Sequence, residues 1–181
     1  MKTSYLAVLF LILTSLNILH AQDYTFYHYG LDDGLSQETV RSILKDENGF
    51  LWLGTQDGLN RFDGTSFKVY KNQKKDSLSI SGNFINTLVE DNNNNIWIGT
   101  NDNGICIYDS NLNSFKKTIV KKGNCTSLSK MSNGSIIAII LNQGIVVFEK
   151  KNDNYYPSTV TKVNNEQLQF NTSFINHDSL F

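Results

Sequence analysis

From Val40 onward, short apolar runs alternate with tight polar turns. Residues 40–45 mix apolar and polar side chains and end at Asp46-Glu47-Asn48-Gly49, a turn signal because Asn and Gly tolerate positive φ. Residues 50–55 are aromatic and aliphatic, Gln56-Asp57-Gly58 turns the chain, and Leu59 to Phe62 is a third apolar run. Asp63-Gly64 turns it again before Phe67, Val69 and Tyr70. The spacing fits neither an amphipathic helix nor a βαβ crossover, and it predicts four short strands joined by three tight turns.

The same pattern is then written a second time. Trp52 recurs at Trp97, Gly54-Thr55 at Gly99-Thr100, Asp46 at Asp91, and after one inserted residue Gly58 at Gly104 and Asp63 at Asp109. A repeat of about 45 residues holding four strands is a β-propeller blade. Leu51 and Leu53 fall on one face of their strand and Phe50 and Trp52 on the other, with Ile96, Trp97 and Ile98 repeating the arrangement. Strands apolar on both faces need cover on both, as a blade between neighbours has. Trp52 and Trp97 are therefore expected in the interblade core rather than stacking a sugar, with Gly54 and Gly99 admitting a close neighbour. The fold expected is all-β, an incomplete propeller ring of three and a fraction blades. Blade 1 spans 37–81, blade 2 spans 82–121, and a degenerate blade 3 at 122–165 places Ile137 over Trp52. Residues 166–181 read as the start of blade 4, so the chain reads as a fragment of a longer protein.

The stretches LWLGTQDGLNRFDG and IWIGTNDNGICIYD resemble the two-component regulator propeller repeat, over roughly residues 24–117. The signature positions are Trp52, Gly54, Thr55, Gly58, Trp97, Gly99, Thr100 and Gly104. The resemblance implies the N-terminal periplasmic sensor segment of a bacterial hybrid two-component system. Its ligand class would be oligosaccharide, and its parent chain would be anchored in the inner membrane and carry histidine kinase activity. The implied partners are the remaining blades and signalling domains, with a second copy in a homodimer possible. Thr25–Tyr29, within a lead-in at 22–36, then reads as the strand that closes the ring.

Residues 1–21 read as a signal peptide: Lys2, an apolar stretch from Leu6 to Leu16, and Ala21 before a mature start near Gln22. With 16 basic and 17 acidic side chains there is no electrostatic case for nucleic acid. Lys71, Lys74 and Lys75 read as a solvated face of the loop between blades. Export permits a disulfide between Cys106 and Cys125 without requiring one, and Cys106, which takes the place of Asn60, reads as an inert core thiol.

No nucleotide loop, nucleophile motif or Cys/His metal spacing is present, and no cofactor is expected. The repeating carboxylates Asp46, Asp63, Asp91 and Asp109 sit beside Asn and Gly at strand ends, where turn capping explains them. Residues 91–95 resemble part of a calcium loop but lack its bidentate glutamate. Strand direction puts the second-to-third turn of each blade on the rim of the interblade loops, gathering Gln56, Asp57, Asp102, Asn103, Asn142 and Gln143 as ligand-binding candidates. The expected function is non-catalytic ligand sensing. The alternatives are a secreted propeller enzyme acting on polysaccharide and an interaction scaffold.

Overall fold

The computed structural model describes residues 24–120, 122–151 and 154–161. The expected signal peptide and the expected opening of blade 4 lie outside the described residues. Among the described residues, twelve strands form three four-stranded antiparallel sheets, each ordered as the chain runs. The first holds β1 (Val40–Lys45), β2 (Leu51–Thr55), β3 (Gly58–Phe62) and β4 (Phe67–Tyr70). The second holds β5 (Ile85–Glu90), β6 (Ile96–Thr100), β7 (Ile105–Asp109) and β8 (Ser114–Val120). The third holds β9 (Cys125–Lys130), β10 (Ile136–Ile140), β11 (Gly144–Lys151) and β12 (Asn154–Thr161).

One turn, used three times, joins the first two strands of each blade. The amides of Gly49, Asn94 and Gly134 donate to the carbonyls of Asp46, Asp91 and Met131. The donating residue has φ of 89°, 60° and 84° in turn, so the position takes Gly or an Asn that tolerates the left-handed region.

Packing between blades follows from strands that are apolar on both faces. Every residue of β6 and β7 is buried, because blade 2 lies between its two neighbours. Trp52 and Leu59 pack against Ile85, Ile98, Cys106 and Tyr108 of blade 2, and Trp97 and Ile105 against Cys125, Leu128 and Phe148 of blade 3. A β-carbon on Gly54 would lie 2.5 Å from Ile85 Cγ2, and one on Gly99 2.7 Å from Cys125 Sγ. Each glycine thus seats the first residue of the next blade. Blade 1 departs from the two-faced expectation: Ile43 is 65% exposed and Leu51 36%. They lie on its face away from blade 2, against which no described blade packs.

The expected strand over Thr25–Tyr29 is not a strand here. Phe26 is 92% exposed, and the segment pairs with no sheet edge among the described residues. Tyr29 meets blade 1, its ring 4.8 Å from that of Phe62. A 3-10 turn at Leu31–Asp33 then leads into blade 1.

The repeating aspartates lock the tryptophans. Asp46 Oδ1 accepts from the Phe50 amide at 2.8 Å while its Oδ2 accepts from Trp52 Nε1 at 2.7 Å. Asp91 Oδ1 takes the amides of Asn93 and Asn95, and its Oδ2 takes Asn95 Nδ2 and Trp97 Nε1. The buried carboxylate caps the turn and satisfies the buried indole, so neither polar group is orphaned. In blade 3 Met131 and Ile137 stand at these two positions, and acceptor and donor are lost together. Asp91→Ala should cost about 1–3 kcal/mol by stranding the indole N–H. Trp97→Ala should cost about 3–5 kcal/mol through lost burial and the cavity left. Urea unfolding checks both, and the double variant should cost less than the two singles summed, because only the first loss strands a donor.

Candidate functional site

The rim that carries the second-to-third turns is built by one threonine device. Thr55 Oγ1 donates to the Gly58 carbonyl at 2.9 Å and accepts the Asp57 amide at 3.1 Å. Thr100 Oγ1 donates to the Gly104 carbonyl at 2.9 Å and accepts the Asn103 amide at 3.1 Å. Both hydroxyls are buried, which fixes Gln56-Asp57 and Asp102-Asn103 on stiff supports. In blade 3, Ile140 replaces the threonine and its carbonyl accepts the Gln143 amide, with Asn142 at φ 62°.

Each turn is wired to the connections between blades. Gly58 N donates to the Asn83 carbonyl and Gly104 N to the Gly123 carbonyl, so a turn grips the segment entering the next blade. Asn101 N donates to the Phe84 carbonyl and Leu141 N to the Asn124 carbonyl, so a turn also grips the segment entering its own blade. The first strand of each blade carries an irregularity at the same place, skipping Arg41, Asn86 and Thr126. Bulges re-aim side chains. Asn86 Nδ2 reaches Asn124 Oδ1 and the Cys125 carbonyl in blade 3, and Asn124 Nδ2 reaches back to Asn101 Oδ1. Arg41 lies over the Phe84 ring at 5.4 Å. Nothing in the sequence marked Arg41, Asn86, Asn101 or Asn124; a bulge without glycine leaves no local signal.

The six residues expected at the site sit as three separate pairs, and among the described residues no hydrogen bond joins one pair to another. Asp57 pairs with Lys71 at 2.7 Å, so part of the lysine run expected as a solvated face is engaged. Asp102 Oδ1 accepts from Asn101 Nδ2, Asn103 packs on Gly82, and Gln143 Nε2 donates to the Lys122 carbonyl. Gln56 and Asn142 are exposed. A cleft of about 440 Å³ lies at the opposite rim, on blade 3, lined by Met131, Ser135, Ile137, Val147 and Glu149 where a Trp-bearing blade would carry its indole.

The remaining candidates have structural occupations. Asp63 accepts from the amides and hydroxyls of Thr65 and Ser66, which hold its carboxyl well below the usual range. Asp109 caps Asn111 and Leu112 and pairs with Lys116 at 2.8 Å. Both oxygens of Asp91 are taken by its own turn and the indole, which leaves the calcium-like stretch no free carboxylate there. Cys106 and Cys125 are free thiols buried in different blade joints, and burial raises both.

The family model described as "Two component regulator propeller" matches residues 34–57 and 79–102, the part of each blade that runs through the Trp-Leu/Ile-Gly-Thr strand to the rim turn. Two stretches of the chain therefore match the two-component regulator propeller repeat. Histidine kinase P4 of Formosa agariphila is 51% identical over 59 residues, which is 33% of this chain and 4% of that kinase. The extracellular domain of the hybrid two component system BT3049 from B. thetaiotaomicron is 29% identical with a TM-score of 0.63, over 72% of this chain and 19% of that one. That of BT4673 from the same organism shares the fold at 24% identity and a TM-score of 0.58, over 74% and 18%. The propeller chain thus spans only a small part of these relatives.

The buried thiols give the repeat core a pH signature. Cys125, in the joint between blades 2 and 3, is pushed up to about 12 by burial. The folded state keeps a proton that the unfolded chain releases above about pH 8.5. Stability should therefore fall as pH rises from about 9 toward 12, by at most ~1.4 kcal/mol per pH unit for this group. Urea midpoints across that range should fall less steeply for Cys125→Ala than for the native chain.

Proposed function

We propose that this chain is the ligand-sensing propeller part of a two-component sensor, exported to the periplasm and non-catalytic in itself. The observation that carries the reading is the likeness to the BT3049 extracellular domain over 72% of the chain. The rim supports it in physical terms. Its turn side chains stand on buried threonine hydroxyls and on backbone bonds into two blades, a scaffold that presents loop residues with little freedom. The ligand class the resemblance implies is oligosaccharide, and the side chains offered suit it: carboxamides donate to and accept from hydroxyls, and carboxylates accept from them. Binding at a rim that grips successive blades would favour one arrangement of the blades over another, and the attached signalling half would read that shift. The parent chain would be held in the inner membrane and supply the kinase, with a second copy as its partner.

Titration of the full chain with a panel of neutral and acidic oligosaccharides tests this. At least one member should bind. Asp57→Ala with Asp102→Ala should weaken that binding while changing stability by no more than about 0.5 kcal/mol, the range of surface substitutions. Binding undisturbed by the pair would move the site off this rim.

A further inference from the structure

The two connections between blades do the same geometric work with very different lengths. Residues 121–124 suffice between β8 and β9, whereas residues 71–84 join β4 to β5. Some ten residues are therefore surplus to the crossing, and they form a compact loop rather than slack chain. Asn72 N donates to Asn83 Oδ1 and closes the base, Asn72 Nδ2 donates to the Ile80 carbonyl, and Gln73 N donates to Ser79 Oγ. Asp76 N donates to the Gln73 carbonyl, and Leu78 N to Asp76 Oδ1. Ile80, fully buried in the joint between blades 1 and 2, pins the loop to the core. This is an Ω-loop, a self-packed surface element whose ends meet. Long ordered loops in compact domains are usually functional.

Its base belongs to the rim. Asn83 accepts from the Gly58 amide, Gly82 seats Asn103, and Lys71 pairs with Asp57. Its body carries Lys74 and Lys75, both exposed, and no ion pair among the described residues engages either. Phe84, where the loop rejoins the blade, lies under the guanidinium of Arg41, a third cation on the same rim. Asp76 is partly occupied in capping Leu78, and Asp57 is matched by Lys71.

We propose that the 71–84 loop is the specificity element of the rim site, and that Lys74, Lys75 and Arg41 take an anionic substituent, carboxylate or sulfate, on a polyhydroxylated ligand. The inference rests on the rim being the binding face. Two lysines held on a pre-closed loop lose less freedom on binding than lysines on a floppy one, and the amide-rich turns beside them meet the ligand's hydroxyls. Selectivity for acidic over neutral ligands, with dependence on salt, follows from the charge.

The test uses the full chain with three probes of matched length: oligogalacturonate, dextran sulfate and neutral dextran. Binding of at least one anionic probe should exceed that of dextran, and should weaken as salt rises from about 50 to about 200 mM. Lys74→Gln with Lys75→Gln should weaken it by about fivefold or more at unchanged melting temperature, and Arg41→Gln should add to the loss. Oligogalacturonate and dextran sulfate together separate a carboxylate preference from a sulfate preference. Equal binding by the lysine variant, or no binding of either anionic probe, overturns the proposal. Asp102→Ala and Asn103→Ala are measured alongside. Loss of binding in these but not in the lysine variant would sink the loop proposal and leave the rim reading standing. The reverse pattern would keep the loop as the binding element and sink the rim turns.

Discussion

A four-stranded sheet that is apolar on both faces cannot be stable by itself, and the architecture of this chain is the working out of that constraint. Blade 2 meets it fully, with every side chain of β6 and β7 buried between two neighbours. The glycine after each tryptophan lets the next blade's first residue seat against the strand, Ile85 on Gly54 and Cys125 on Gly99. Each blade therefore completes the core of the one before it. Stability in such a stack is approximately a sum of blade terms and joint terms, and the joints dominate when single blades cannot hide their faces.

Joints of this kind also carry polar bonds, and these differ from one joint to the next. Between blades 1 and 2, the Glu47 amide donates to the Glu90 carboxylate, and Arg61 reaches Tyr108 Oη beside the aromatic layer of Trp52 and Tyr70. Between blades 2 and 3, the links are the Asn86–Asn124–Asn101 chain, the Leu128 amide to Thr87 Oγ1, and Lys150 to Asn93. A ligand at the proposed rim site would meet the first joint through the 71–84 loop and the second through the carboxamide chain. The rim can therefore address two joints separately.

The strands were legible in the sequence because their cause is local: short apolar runs between Asn-Gly or Asp-Gly turns. β1 and β4 begin and end as the pattern predicts, and β2 and β3 are displaced by one residue at their starts. Asp46 and Asp91 were legible as turn caps through one oxygen each. Their second oxygen reaches an indole six residues on, across a hairpin whose register sets Leu44 opposite Trp52, and a reading of neighbours along the chain does not show that. The six rim residues were placed on one edge by strand direction alone, which fixes the edge but not the spacing of the turns along it. Arg41 and Asn86 escaped altogether, since a bulge occupied by ordinary side chains leaves no signature. Thr25–Tyr29 has strand composition, but composition makes a strand only where an edge is available to receive it.

The aspartate and tryptophan of a joint are unequal partners, and the third copy has neither. Removing the indole first leaves an aspartate that still caps its turn, a state with no stranded buried donor. Removing the aspartate first leaves an indole N–H facing a dry joint, with a desolvation cost of about 1–3 kcal/mol. Drift from the Asp–Trp pair to the Met131–Ile137 pair thus has a low road and a high road, and the low road begins at the tryptophan. Copies that keep the aspartate after losing the ring would be the natural intermediates of blade decay, whereas copies that keep the ring without its acceptor would be scarce.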